Sequence, residues 1–238
     1  MVARDGIGII VGGFAAFLIS LGLWYFFPSA VAQAVTILLG LFAVFNLYFF
    51  RDPDREPPGN PLAVISPADG RVTQIVEVDE KDYFHRRVQR ISVFLSVFNV
   101  HVNRSPFSGT VDYFHYRTGK FLAAFKHEAS EENEQTTIGI LDEGGNRVLF
   151  KQIAGLIARR IICHYREGMT SRAGERMGLI RYGSRVDVFV SLDATVAVKV
   201  GQTVKAGQSI LATFPSPGDA RDSEARLVTT PRPEVTES

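Results

Sequence analysis

The sequence predicts a mainly β (α+β) fold: a barrel-sandwich-like β domain preceded by an N-terminal hydrophobic helical hairpin. Three observations carry that expectation. Residues 6–50 contain no charged side chain. From residue 71 to 214, short runs rich in Val, Ile, Phe and Tyr alternate with Gly, Asp and Pro, as short strands and turns should. Turn-before-strand signatures also recur. Ser66-Pro-Ala-Asp-Gly-Arg-Val72 and Ser105-Pro-Phe-Ser-Gly-Thr-Val111 share Ser-Pro-x-x-Gly-x-Val, a Pro-led turn closed by Gly.

The apolar stretch is divided by Pro28-Ser29-Ala30 into 6–27 and 31–50. Each half is about long enough to cross a hydrocarbon core as a helix. A signal peptide would have a shorter apolar core ending at a cleavage site. A hairpin over 1–50, spanning or re-entrant, is therefore expected. Trp24, Tyr25 and Phe26 flank the break, where interfacial aromatics are common. Arg4 at one end and Arg51 with Arg55 at the other put positive charge at the open end, which the positive-inside tendency makes cytoplasmic. The expected location is the cell membrane, with the β domain facing the cytoplasm.

Residues 51–61 are rich in proline and charge and read as a linker. Strands are expected at 71–78, 88–95, 109–116, 136–141, 147–154, 159–164, 185–192, 195–200 and 209–214 within a domain at 62–214. Residues 119–130 read as a brief helix or ordered loop, and 215–238 as a disordered tail. The net charge of +1 gives no electrostatic case for nucleic acid. The single cysteine, Cys163, excludes an internal disulfide framework and, within Ile161-Ile-Cys163, reads as a buried structural thiol. The five histidines lack metal-ligand spacing, so no metal is expected.

The segment Arg181-Tyr-Gly-Ser-Arg-Val-Asp-Val-Phe-Val190 holds the candidate chemistry. Gly183-Ser184 interrupts a strand-like alternation, and Gly in a strand marks a bulge or a close backbone approach. One reading is a β-bulge with a solvated serine. The other is an N→O acyl shift: Ser184 Oγ attacks the Gly183 carbonyl, which no side chain shields, and the chain is cut.

Several ordered stretches decide how that segment reads: Ser66-Pro-Ala-Asp-Gly70, Phe94-Leu-Ser-Val-Phe-Asn-Val-His-Val-Asn-Arg-Ser-Pro106, Gly119-Lys-Phe121, Glu132-Asn-Glu134, Gln152-Ile-Ala-Gly155 and Arg181-Tyr-Gly-Ser-Arg-Val-Asp187. In order and spacing they resemble the phosphatidylserine decarboxylases, in their short membrane-associated prokaryotic form. The resemblance runs from the hairpin to about Phe214.

It implies a proenzyme that is self-cleaved at 183/184 into chains 1–183 and 184–238, which stay together as a heterodimer. An ester at Ser184, β-elimination and hydrolysis would leave a covalent pyruvoyl group at position 184. The ketone forms a Schiff base with the substrate amine and accepts the electrons left by carbon dioxide, the role of pyridoxal phosphate elsewhere. The implied substrate is phosphatidylserine in membrane lipid and the product is phosphatidylethanolamine. A related serine phospholipid would use the same chemistry, and homo-oligomer formation stays open.

Serine needs a base, expected to be a histidine held by a carboxylate. The resemblance maps these onto His101 and Asp69. Longer members carry His-x-x-His, whereas this chain has His101-Val-Asn-Arg104. Either His101 serves both steps or Asp69 acts on Ser184 directly. His101 is also the candidate acid of the decarboxylation, because its unperturbed pKa lies near neutrality. Arg181 and Arg185 are candidate phosphate contacts through their guanidinium forks. Plainer readings stand beside these: Asp69 as a turn residue, His101 as a strand histidine bonded to a carbonyl, both arginines as solvated strand residues. The C-terminal Val198-Lys-Val-Gly-Gln-Thr-Val-Lys-Ala-Gly-Gln208 resembles the hammerhead of lipoyl- and biotinyl-type domains. A carrier function is disfavoured because no lysine occupies a modification motif. A non-enzymatic membrane-anchored adaptor is the other alternative.

Overall fold

The computed structural model describes residues 1–119, 133–155, 160–181 and 184–216. A short 3-10 turn, Arg4–Gly6, leads into α1 (Ile7–Phe26), and α2 (Ala30–Phe49) runs back. Ser29 caps α2, its Oγ accepting from the Ala32 N–H at 3.1 Å, as expected where Ser precedes a helical run. Both helices are long and apolar enough to cross a membrane. Their seam is built from small residues: Gly13 faces Ala43, and a side chain added at Gly40 would come within 3.0 Å of Phe17. Thr36 Oγ1 donates across it to the Ser20 carbonyl at 3.1 Å. The outward faces carry Leu18, Ile19, Leu38, Leu41 and Val44, all exposed.

The rest of the described chain is mainly β, as the sequence predicts. The large sheet has eight strands: β2 (Gly70–Glu80), β3 (Arg86–Leu95), β5 (Gly109–Arg117), β6 (Gln135–Leu141), β7 (Arg147–Ala154), β9 (Thr170–Ser171), β11 (Ser184–Val190) and β13 (Thr203–Val204). Their spatial order is β13-β2-β3-β11-β7-β6-β5-β9, so β11 is central. A second sheet joins β4 (Val102–Arg104), β10 (Arg176–Ile180) and β8 (Ile161–Cys163) in the order β4-β10-β8. A third joins β1 (Ala63–Ile65), β14 (Ile210–Thr213) and β12 (Thr195–Val196) in the order β1-β14-β12. The strands β1, β4, β9, β10 and β13 add to the expected set; four of them have only two or three residues, too few to show a period. The helix or loop expected at 119–130 lies outside the described residues from 120 onward, as does the tail from 217.

Alternation along β11 sorts its side chains. Ser184, Val186, Val188 and Val190 share one face with Val93, Ile91 and Phe150, and this face forms the main core with Val64, Phe107, Ile138 and Met177. The opposite face carries Arg185, Asp187 and Phe189, the last packing with Tyr83, Phe84, Val88 and Leu149.

The hairpin is docked on the β domain. Phe49 and Phe50 are fully buried against Leu179 of β10, beside Ile9, Ile10 and Ile162. The N-terminus pairs back on the end of α2: Ala3 N–H donates to the Phe50 carbonyl at 2.8 Å and Asp52 N–H to the Met1 carbonyl at 2.7 Å. The stretch read as a linker is pinned by ion pairs. Asp52, buried, binds Arg104 at 3.0 Å and Arg176, while Arg176 also reaches Asp54 at 2.9 Å.

Candidate active site

Ser184 opens the central strand, paired with Leu95 on β3 and Ala154 on β7. Ala154 is held in turn, its carbonyl accepting from Asn133 Nδ2 at 2.7 Å. Ser184 is 0 % exposed, and its Oγ has no hydrogen-bond partner. A buried hydroxyl without a partner is uncommon and calls for an explanation. Gly183, the other half of the expected cleavage site, lies outside the described residues.

His101 sits just before β4 and is also fully buried. Its Nδ1 meets the Asn99 carbonyl at 2.9 Å, and its ring lies on Phe49 with centroids 4.0 Å apart. A carbonyl only accepts, so Nδ1 carries the proton and Nε2 keeps its lone pair in the neutral ring. Burial pushes the imidazole down to about 4, and the Arg51 charge works in the same direction; the Asn99 bond and the Asp69 charge only partly oppose them. Desolvation thus sets the ring well below the unperturbed value that made it the candidate acid.

Asp69 lies in the turn before β2. Its carboxylate takes both arms of the Arg55 guanidinium, Nη2 at 2.8 Å, and the Ala206 N–H at 2.8 Å. The turn packs so closely that a Cβ at Gly70 would fall 2.2 Å from the Phe94 carbonyl oxygen. No hydrogen bond joins Asp69 to His101. The expected His–carboxylate pair is replaced by two separate tethers: Arg55 for the carboxylate, the Asn99 carbonyl for the ring.

Arg185, the other candidate phosphate contact, follows Ser184 on β11. Alternation turns it to the face opposite Ser184, where its Nη2 donates to Asp187 Oδ2 at 2.8 Å and both side chains are buried. Arg181 stays at the junction of hairpin and domain, its Nη2 reaching the Asp5 carbonyl at 3.4 Å. Arg104, three residues after His101, donates to Asp52, the Pro53 carbonyl and the Gly174 carbonyl at 2.9–3.0 Å. It ties the 51–61 stretch to the small sheet. A cavity of about 550 Å³ beneath the N-terminus is lined by Arg4, Asp5, Asp52 and His164 and by none of the residues predicted for the site.

The sequence did not single out Arg55 beyond its charge, nor Asn103 and Gln152 beyond their place in the matching stretches. Gln152 Nε2 donates to Asn103 Oδ1 at 2.8 Å, linking β7 to β4 beside Ser184.

A family model described as phosphatidylserine decarboxylase matches residues 42–212. The chain belongs to the phosphatidylserine decarboxylase family. Among its relatives, the phosphatidylserine decarboxylase proenzyme of Desulfotalea psychrophila is 43% identical over 210 residues, 88% of this chain and 95% of that one. The protein of the same name from Salinibacter ruber is 43% identical over 199 residues, 83% of this chain and 87% of its own. That of Syntrophus aciditrophicus is 42% identical over 213 residues, covering 90% and 97%.

Proposed function

We propose that this chain is a membrane-anchored proenzyme that cuts itself between Gly183 and Ser184 and then decarboxylates phosphatidylserine to phosphatidylethanolamine. One observation carries the reading: in a member of this family, the serine of the matching Gly-Ser step is buried at the head of the central strand with its hydroxyl unpartnered. A hydroxyl tied to a structural acceptor would be a poorer nucleophile than one held ready in a dry site.

The residues present fit a pyruvoyl group made from Ser184. His101 is a neutral imidazole whose basic atom is Nε2, suited to accept the hydroxyl proton. Its desolvated imidazolium would give that proton back readily, so one histidine can serve both steps. Asp69, held by Arg55, biases the ring through its charge rather than by contact. Pyruvoyl, once formed, supplies the electron sink for loss of carbon dioxide. The chain's own part is to exclude water, hold the head group and move the proton. Arg181 at the hairpin root is the phosphate contact in this reading.

The hairpin root brings this chemistry to a lipid surface. Phe98 is 65 % exposed on the loop after β3, and its carbonyl accepts from Tyr48 Oη at 3.1 Å and Arg51 Nη2 at 2.8 Å. An exposed aromatic fixed to the end of an apolar helix suits a membrane interface, with the β domain on the cytoplasmic side.

Intact-mass spectrometry beside a Ser184→Ala variant tests the reading, together with carbon dioxide release from phosphatidylserine in mixed micelles. Two fragments meeting at 183/184, the smaller with a pyruvoyl N-terminus, an uncut variant and activity only in the cut protein are expected. An uncut, folded wild-type chain would leave the adaptor alternative.

A further inference from the structure

Among the described residues nine buried side-chain atoms lack a hydrogen-bond partner, and three of them, Ser184 Oγ, Gln152 Oε1 and Asn103 Nδ2, are linked by strand register and one side-chain bond. All three residues are 0 % exposed. Buried polar atoms are nearly always bonded, so such a group of orphans marks a place prepared for something else. Two of them belong to one unit. The bond from Gln152 Nε2 to Asn103 Oδ1 uses half of each amide and leaves one donor and one acceptor.

Strand register places this unit. Ser184 pairs with Ala154 and Val186 with Gln152, so Gln152 and Ser184 point to one face as diagonal neighbours. Such neighbours lie about 7–8 Å apart. Asn103 follows His101 by two residues, and Gln152 reaches it from the facing sheet. The leftover donor and acceptor therefore lie where the Ser184 face of the large sheet meets β4.

We propose, resting on the phosphatidylserine reading above, that the Asn103–Gln152 pair reads the serine head group: Asn103 Nδ2 donates to the substrate's α-carboxylate, and Gln152 Oε1 accepts from its α-ammonium. The carboxylate is the one group that substrate has and product lacks. Its departure as carbon dioxide removes the Asn103 bond and favours release of the product. A neutral donor also suits the chemistry. An Arg or Lys would grip the ground-state carboxylate, and losing that grip as the charge moves off would raise the barrier.

Binding without turnover tests the assignment. Borohydride adds hydride to the ketone, and solvent adds a proton to its oxygen, giving processed enzyme that cannot condense with an amine. Calorimetry of this form with glycerophosphoserine and glycerophosphoethanolamine isolates the carboxylate. Wild type should prefer the serine compound. The double variant Asn103→Leu/Gln152→Met replaces both amides, orphaning neither, and should reduce the serine-over-ethanolamine preference about 10–100-fold, because the ammonium contact is lost to both compounds alike and the carboxylate contact to the serine compound alone. The isosteric Gln152→Glu variant puts negative charge beside the ammonium that both compounds carry and near the carboxylate that only the serine compound carries, so it should favour the ethanolamine compound and erode the serine preference. Intact mass of every protein separates the two hypotheses. An uncut wild type would sink the self-processing reading itself. Cut variants with the wild-type preference would overturn the head-group assignment alone. Folded variants that remain uncut would also overturn it, moving the amide pair to Ser184's own processing.

Discussion

At the scale of single residues, His101 sets the pH behaviour. Its folded value of about 4 lies below the ordinary 6.5, because burial penalises the charged ring first of all. The unfolded chain therefore binds the extra proton between those values, and the folded chain does not. Stability is full above about pH 6.5 and is lost as pH falls through about 4, by about 3 kcal/mol in all. Denaturant unfolding of the uncut Ser184→Ala chain should show this slope, and His101→Gln on the same background should flatten it. The same value predicts self-cleavage that is level from pH 8 to about 5 and falls about tenfold per unit below 4. A self-cleavage rate that instead halves near pH 6.5 would mean that the ring which takes the proton is not the desolvated one described for His101. Sequence showed His101 and Ser184 as residues but not this value, because the burial that lowers it, with Phe49 against the ring, arises only through tertiary packing.

At the scale of elements, the junction between α2 and the β domain is the informative piece. Asp52 and Arg104 are both nearly fully buried, and Asp52 is the carboxylate facing the Arg104 guanidinium. Asp52→Ala leaves a buried cation uncompensated and should cost about 3–5 kcal/mol. Asp54 is mostly exposed on the same stretch, and Asp54→Ala should change stability by less than about 0.5 kcal/mol. Denaturant titration of both in one detergent checks the contrast; equal losses would mean that 51–61 does not anchor the hairpin. The hairpin and the long strands were legible because forty apolar residues and period-2 runs announce themselves locally. The clamp was not. Asp52, Arg104 and Arg176 are scattered along the chain, and nothing local distinguishes a paired arginine from a solvated one. Likewise β10 reads poorly because Gly178 breaks its pattern where a side chain would strike the Ile162 carbonyl, 2.0 Å away.

At the scale of the whole molecule, a cut at 183/184 separates pieces that the sheets have already interleaved. β11 belongs to the smaller piece yet lies between β3 and β7 of the larger, paired along its whole length on both edges. Elsewhere β13 pairs with β2, and β14 with β1. Val186, Val188 and Val190 are 0 % exposed within the core of the larger piece. Burying a Val side chain is worth about 1.5–3 kcal/mol, so these three alone hold the fragments strongly. Ser184 heads the strand, so losing its link to residue 183 frees one end of β11 without removing a ladder partner. The two chains should therefore co-elute in mild detergent after processing, although no disulfide can join them with only one cysteine present. Size-exclusion chromatography followed by mass analysis checks this, with separation expected only in denaturant. Fragments that part in mild detergent would mean that β11 is not seated between β3 and β7 in the processed protein. The site assembled from His101 and Asn103 on one chain and position 184 on the other would then have no means of staying together.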